Sequence, residues 1–183
     1  MSEDLIVRCC APTLAGIKTG SLFSVPYESY GAMMEDIRAL NRMLAPHGLR
    51  LLPLRCSNGK ALLYLFRPAS LHRDLHEKTA MEILTDAGYA GLRTEQCIQR
   101  LIQRLKDNRD FPHEIGLFLS YPPEDVRGFI DNKAQNYKCI GYWKVYGDEN
   151  KARQTFEKYK KCTESYCKSL HAGFGLAQLA VTV

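Results

Sequence analysis

Apolar positions recur along the chain at two spacings, every three to four residues and every second residue, and these separate helices from strands. Met33, Ile37, Leu40 and Leu44 share one face of a helix from Tyr30 to Ala45, capped by Ser29 and stopped by Pro46-His47-Gly48. Ser21 to Val25 reads as a short strand before it. Leu49 to Arg55 and Lys60 to Arg67 flank Ser57-Asn58-Gly59. Asn-Gly between apolar runs predicts a hairpin, because both turn positions take positive φ. Pro53 has no N–H to give to a ladder, so its strand belongs at an edge or carries a bulge. Ser70 is expected to cap a helix that turns Ala80, Ile83, Leu84 and Ala87 inward, and Thr94 opens another with Cys97, Ile98, Leu101, Ile102 and Leu105 as its stripe. Asp148 caps a long helix to about Leu170, with Ala152, Phe156, Tyr159, Thr163, Tyr166 and Leu170 along one side, and Gly173-Phe174-Gly175 ends it.

Between these lies His113 to Asp148, which organises the rest. Ile115 to Ser120 is a short apolar run with the length of a buried strand. Tyr121-Pro122-Pro123-Glu124-Asp125 opens a helix, since proline is tolerated where N–H groups have no intrahelical partner and the acids suit the positive end of the dipole. From Gly141 to Tyr146, Trp143 and Val145 alternate with Tyr142, Lys144 and Tyr146, as in a second strand. Strand, helix and strand over this length predict two parallel strands joined by a right-handed crossover. The expected fold class is therefore α/β, one layered domain over residues 1–183, with a mixed sheet of about five strands, helices on both faces and a C-terminal βαβ unit.

Composition narrows the classes of function. At 183 residues and 45% apolar content the chain is long enough for a proper core. A net charge of +5, spread along the chain, is not the concentrated field of a nucleic-acid binder. No apolar stretch approaches a membrane span, and Ser2-Glu3-Asp4 does not resemble a secretion signal. Seven cysteines at irregular spacing fit reduced thiols, so the expected location is the cytoplasm.

Candidate chemistry follows from placement. In an open α/β sheet ligands lie beyond the carboxyl ends of the strands, here Tyr121-Pro122 and Gly147-Asp148. Tyr121, Glu124, Asp125, Trp143, Lys144 and Tyr146 are the expected lining of a ligand groove, aromatic walls with a few polar groups. Asp148 is a further candidate there, its ordinary alternative being a helix cap. A phosphate is disfavoured, because no glycine-rich turn precedes either helix and two acids stand at the helix start. Near the N-terminus Pro12 reads as the first residue of a short helix, which puts Cys10 at a helix N-terminus, where a thiol can be activated. Lys18 or His113 would tune it and Glu114 would orient the histidine; alternatively Cys9 and Cys10 are small buried hydrophobes. His72 and His76 share a helix face, but zinc needs a third ligand that the spacing does not offer, so no metal site is expected. The basic residues Arg100, Arg104 and Lys106 read as a solvated helix face rather than a DNA-reading one. Leu176 to Val183 is an apolar tail that should dock on the body or on a second subunit.

Three stretches, CAPTLAGIK near the start, HEIGLFLSYPPEDVRGFI in the centre, and CIGYWKVYGD followed by a Phe–Tyr–Cys helix, resemble the bacterial family catalogued as domain of unknown function 3793, common in clostridia. The resemblance spans nearly the whole chain. It implies a single bacterial domain, from an anaerobe, and carries no activity, cofactor or catalytic residue. No triad, metal quartet or phosphate loop can be read from spacing, and fold alone does not fix function. Three expectations therefore stand. The favoured one is a small-molecule-binding or regulatory protein using the groove; the others are a thiol-dependent enzyme using Cys10, and an interaction module or homo-oligomer using the C-terminal tail.

Overall fold

A computed structural model describes residues 1–107 and 111–183. The chain divides into two compact units, Met1–Ser70 with Tyr159–Val183, and Leu71–Lys158. Among the described residues no helix is long and apolar enough to cross a membrane.

The first unit contains α1 (Glu3–Leu14), β1 (Gly20–Pro26), α2 (Tyr30–Leu44), a 3-10 turn (Ala45–His47), β2 (Arg50–Ser57) and β3 (Lys60–Phe66). Its strands form an antiparallel sheet in the order β1-β3-β2. Asn58 and Gly59 both have positive φ, at 50° and 69°, as the predicted β2–β3 turn requires. Pro53 takes both of the exits expected for it: β2 is an edge strand, and its register with β3 shifts between Pro53 and Arg55. That free edge is partly closed from α2, where Asn41 donates to the carbonyl of Leu51 at 2.9 Å and accepts its N–H at 2.8 Å. Phe23, Val25, Ala61, Leu63 and Leu65 from the sheet share one buried core with Ile6, Val7, Cys10 and Leu14 of α1 and with the α2 stripe Met33, Ile37, Leu40 and Leu44.

The C-terminal tail enters the same core. Leu176 and Leu179 of α9 (Leu176–Leu179) and Ala180 are buried there, while Val181 and Val183 stay exposed. Arg67 holds the junction: its buried guanidinium donates to the carbonyls of Thr13, Leu14, His47 and Val181 at 2.7 to 3.0 Å. Two of these are C-terminal carbonyls of α1, which lack the i+4 partner that carbonyls of the helix interior have. Gly16, with φ of +75°, lies so close to the Val183 side chain that a Cβ there would collide with it.

The second unit is helical apart from one small ribbon. It contains most of α3 (Pro68–Leu75), then α4 (Lys78–Asp86), α5 (Thr94–Lys106), α6 (Ile115–Phe118), α7 (Pro123–Asp131) and a hairpin of β4 (Cys139–Ile140) and β5 (Lys144–Val145). The chain then enters α8 (Glu149–His171), which crosses into the first unit at Tyr159. Asp148 caps α8, accepting the N–H of Lys151 at 3.0 Å. Gly173, with φ of +96°, follows its end.

Four expectations are corrected. Ile115 to Ser120 is not a strand but the helical turn α6, closed by i+3 bonds such as Leu117 N–H to Glu114 O at 3.0 Å. A short apolar run enclosed on every side fits either conformation, and period alone does not decide between them. Without that strand there is no parallel crossover, and a three-stranded antiparallel sheet plus a two-stranded hairpin replace one mixed five-stranded sheet. The helix assigned to Pro12 onward is α1, which begins at Glu3 and holds Pro12 near its far end. Ser70 lies inside α3, and Glu77 is the residue that caps the helix of Ala80, Ile83 and Leu84, accepting the N–H of Ala80 at 2.9 Å.

Candidate functional site

The second unit carries a hollow of about 350 Å³ lined by residues of α6, α7 and the β4–β5 hairpin, with Phe111 and His113 from the segment before α6. Two local features shape it. Pro122 and Pro123 start α7 so that Asp125 falls in its first turn. Trp143, in the bend that the sequence reads as part of a strand, and Val145 of β5 are both buried.

Asp125 joins these two features. It is buried, and its carboxylate accepts the Trp143 indole N–H at 2.6 Å and the backbone N–H groups of Tyr146 and Gly147 at 2.7 Å each. A carboxylate facing three donors in a dry site is strongly held. The side chain that sequence alone reads as a dipole partner therefore anchors the hairpin to α7. Trp143 also stacks on Tyr121, with ring centroids 5.0 Å apart, and meets Phe156 edge-on at 4.5 Å. Gly141 permits this arrangement, because a Cβ there would strike the Phe156 ring.

Phe129 and His113 also line the hollow, and their rings meet edge-on at 5.0 Å. No hydrogen bond to the His113 imidazole is formed among the described residues. Lys144 lines the hollow as well; its ammonium donates to the Ala134 carbonyl at 2.8 Å and sits over the rings of Tyr137 and Phe129, at 4.6 and 5.9 Å from their centroids. Burial raises the pKa of the Tyr121 phenol. Exposed apolar side chains stand at the lining: Phe111 is 54% and Ile140 64% accessible.

Of the residues expected to line a groove, Tyr121, Asp125, Trp143 and Lys144 lie on this hollow, and His113 joins them from the set assigned to thiol chemistry. Glu124 is exposed, Tyr146 packs against Gly128 and Asp148 caps α8; none of the three is among the lining residues. The Tyr146 hydroxyl is buried without a hydrogen-bond partner among the described residues. Phe111, Phe129, Ile140 and Tyr142 were missing from the expected lining. A signal for two of them existed: Ile140 and Tyr142 are large apolar groups left exposed beside Trp143.

The thiol residues are arranged differently. Cys10 lies in the third turn of α1, not ahead of its first, so the positive end of the helix dipole does not reach it. It is fully buried, and burial pushes its pKa up, against smaller opposing effects of Lys18 and Ser21. Lys18 is half-buried, and desolvation lowers its pKa from 10.5 to about 8. Glu114 belongs to the second unit and does not serve His113. It is buried, accepting the Tyr89 hydroxyl at 2.7 Å and pairing with Arg104 at 3.1 Å. The His72 and His76 rings lie 4.1 Å apart, tilted by 41°, the first bonded to Thr94 and the second to the carbonyl of His72. Among the described residues no group of three or more His, Cys, Asp or Glu side chains converges as a metal site would need.

Among the described residues, backbone strain falls mostly on the segments flanking α7. Of the non-glycine residues with positive φ among those described, Ser120, Lys133, Ala134 and Asn136 lie between α6 and β4, and Asn58 is the hairpin turn of the other unit. Each such residue is costly and persists only where surrounding contacts enforce it.

A protein-family profile described as Protein of unknown function (DUF3793) matches residues 6–180. Comparison with curated proteins and with solved structures gives no match.

Proposed function

The chain belongs to this family, and we propose that it is a small-molecule-binding protein whose ligand occupies the hollow between α6, α7 and the β4–β5 hairpin. The observation that carries this is the hollow itself: about 350 Å³, with Phe111, Tyr121, Phe129, Tyr142 and Trp143 as walls and few polar groups. That size and composition suit a small organic molecule. Exposed Ile140 and Phe111 support the same reading, since folding alone gives no reason to leave large apolar groups in water at the edge of a cavity. So does the strained backbone on either side of α7, because strain of this kind gathers at ligand sites.

Binding is favoured over catalysis because the polar groups on the lining do not form a catalytic set. Asp125 has both oxygens occupied, and Lys144 holds the Ala134 carbonyl. His113 alone does not make a nucleophile, base and orienting partner. The test uses Trp143, the only tryptophan, whose indole N–H gives one resolved signal in a nitrogen-15 correlation spectrum. Screening a library of small aromatic and aliphatic compounds should move that signal together with those of Tyr121, Gly141 and Tyr142. Hits that perturb only residues away from the lining would remove the proposal.

A further inference from the structure

Resting on that reading of the hollow, we infer that its ligand is a planar aromatic anion, one or two fused rings carrying a carboxylate. Size sets the first limit. A hollow of about 350 Å³ lies near the lower end of ligand pockets, a size that suits one or two rings. Shape sets the second. Tyr121, Phe129, Trp143 and His113 all line the space, so flat rings make up much of its wall.

Charge selects between the two kinds of ligand that aromatic walls attract. An organic cation would use the ring faces, but Lys144 already places its ammonium over Phe129 and Tyr137 and would repel a second cation in the same space. The acid on the lining is turned toward the protein, its charge shared among three donors, because Oδ1 of Asp125 takes the Tyr146 and Gly147 N–H groups and Oδ2 takes the Trp143 indole. An anion meets the reverse situation. Of the three donors on an ammonium, Lys144 commits one to a protein hydrogen bond, to the Ala134 carbonyl, among the described residues. The His113 imidazole is also without a hydrogen-bond partner there. A carboxylate fits these groups, with its ring against Trp143.

The experiment compares three probes of one shape and different charge, 2-naphthoate, 2-naphthamide and 2-naphthylmethylammonium, by calorimetry and by the Trp143 indole signal. Replacing a neutral hydrogen bond with a charge-assisted one should make naphthoate bind about tenfold more tightly than the amide, and the cation should bind weakest. Lys144→Met should bring naphthoate and naphthamide to equal affinity, while Lys144→Arg should keep the preference. If the wild-type protein binds naphthamide as well as naphthoate, or the ammonium best, the anion assignment is overturned while the hollow stands as a binding site. If none of the three moves the indole signal, both the assignment and the hollow's role as a binding site are overturned.

Discussion

Asp125 and Trp143 form the pair on which the second unit's hairpin depends: a carboxylate oxygen in the first turn of α7 takes the indole N–H at 2.6 Å, beneath the stacked ring of Tyr121. The other oxygen fixes the backbone at Tyr146 and Gly147. A two-stranded ribbon is marginal by itself, so this contact, and not the β4–β5 ladder, holds the wall of the hollow in place.

Removing the carboxylate should therefore disorder the hairpin. Asp125→Ala orphans three donors in a buried site, each worth about 1 to 3 kcal/mol, and a total loss of about 3 to 5 kcal/mol is expected. Asp125→Asn keeps one acceptor oxygen and should fall between Ala and wild type. Urea denaturation gives the order, and the near-ultraviolet dichroism of Trp143 should weaken with it. Equal stability of all three proteins would deny Asp125 its anchoring role.

The rim and the wall should separate binding from stability. Phe111→Ser and Ile140→Ser remove exposed side chains, and stability should change by no more than about 0.5 kcal/mol. Affinity for 2-naphthoate should nevertheless drop by about tenfold in each, as apolar contact with the ligand is lost. Trp143→Ala behaves otherwise, because the indole is only 7% exposed, and deleting it should cost about 3 to 5 kcal/mol. Calorimetry and urea midpoints on the same preparations distinguish the two patterns.

Tyr146 carries the one buried side-chain oxygen left without a partner among the described residues. An unsatisfied buried hydroxyl opposes folding, so Tyr146→Phe should raise stability by about 1 kcal/mol. The phenyl ring keeps the contact with Gly128 that a Cβ at that glycine would fill. A lower thermal midpoint for the variant would show that the hydroxyl is satisfied in solution.

Lys18 and Cys10 predict a pH response in the first unit. The folded pKa of Lys18 lies near 8 and its ordinary value is 10.5, so between those values the unfolded chain carries a proton that the folded chain does not. The lysine's contribution to stability is then least favourable below about pH 8 and improves as pH rises toward 10.5. Wild type should gain on Lys18→Met across that window. Cys10 has a raised pKa and acts in the opposite direction, but it is common to both proteins. A stability difference that stays constant over the window would contradict the burial of the ammonium.

Cys9 is exposed and Cys10 buried, side by side in α1. Iodoacetamide on the native protein should alkylate Cys9 and leave Cys10 unmodified until urea unfolds the chain, as peptide mass spectrometry would show. Alkylation of native Cys10 faster than a free thiol would restore the nucleophile that its burial argues against.

Local signals in the sequence were enough for the sheet and α2 of the first unit, though not for α1, which starts at Glu3 and not at Pro12. Asn58-Gly59 demanded positive φ, Pro53 demanded an edge or a bulge, and the α2 stripe from Met33 to Leu44 matched the buried set. The centre was harder to read. Ile115 to Leu119 is buried at every position, which removes the periodicity that separates helix from strand, and the enclosing contacts chose the helix. Tyr121, Trp143 and Lys144 were expected to come together for a geometric reason that the fold does not share: parallel strand ends were invoked, and the Asp125 carboxylate is what joins α7 to the hairpin. That long-range contact has no local signature, since an acid in the first turn of a helix is ordinarily solvated. Phe111 and Phe129 reach the hollow through tertiary packing alone.

The most direct test of the binding claim is the set of intermolecular nuclear Overhauser effects between 2-naphthoate and the protein. Cross-peaks from the naphthyl protons to Tyr121, Phe129, Ile140 and the indole of Trp143 are predicted, with the carboxylate end nearest Lys144 and His113. Cross-peaks confined to other residues, those around Cys10 and Lys18 included, would place the ligand elsewhere and contradict the account.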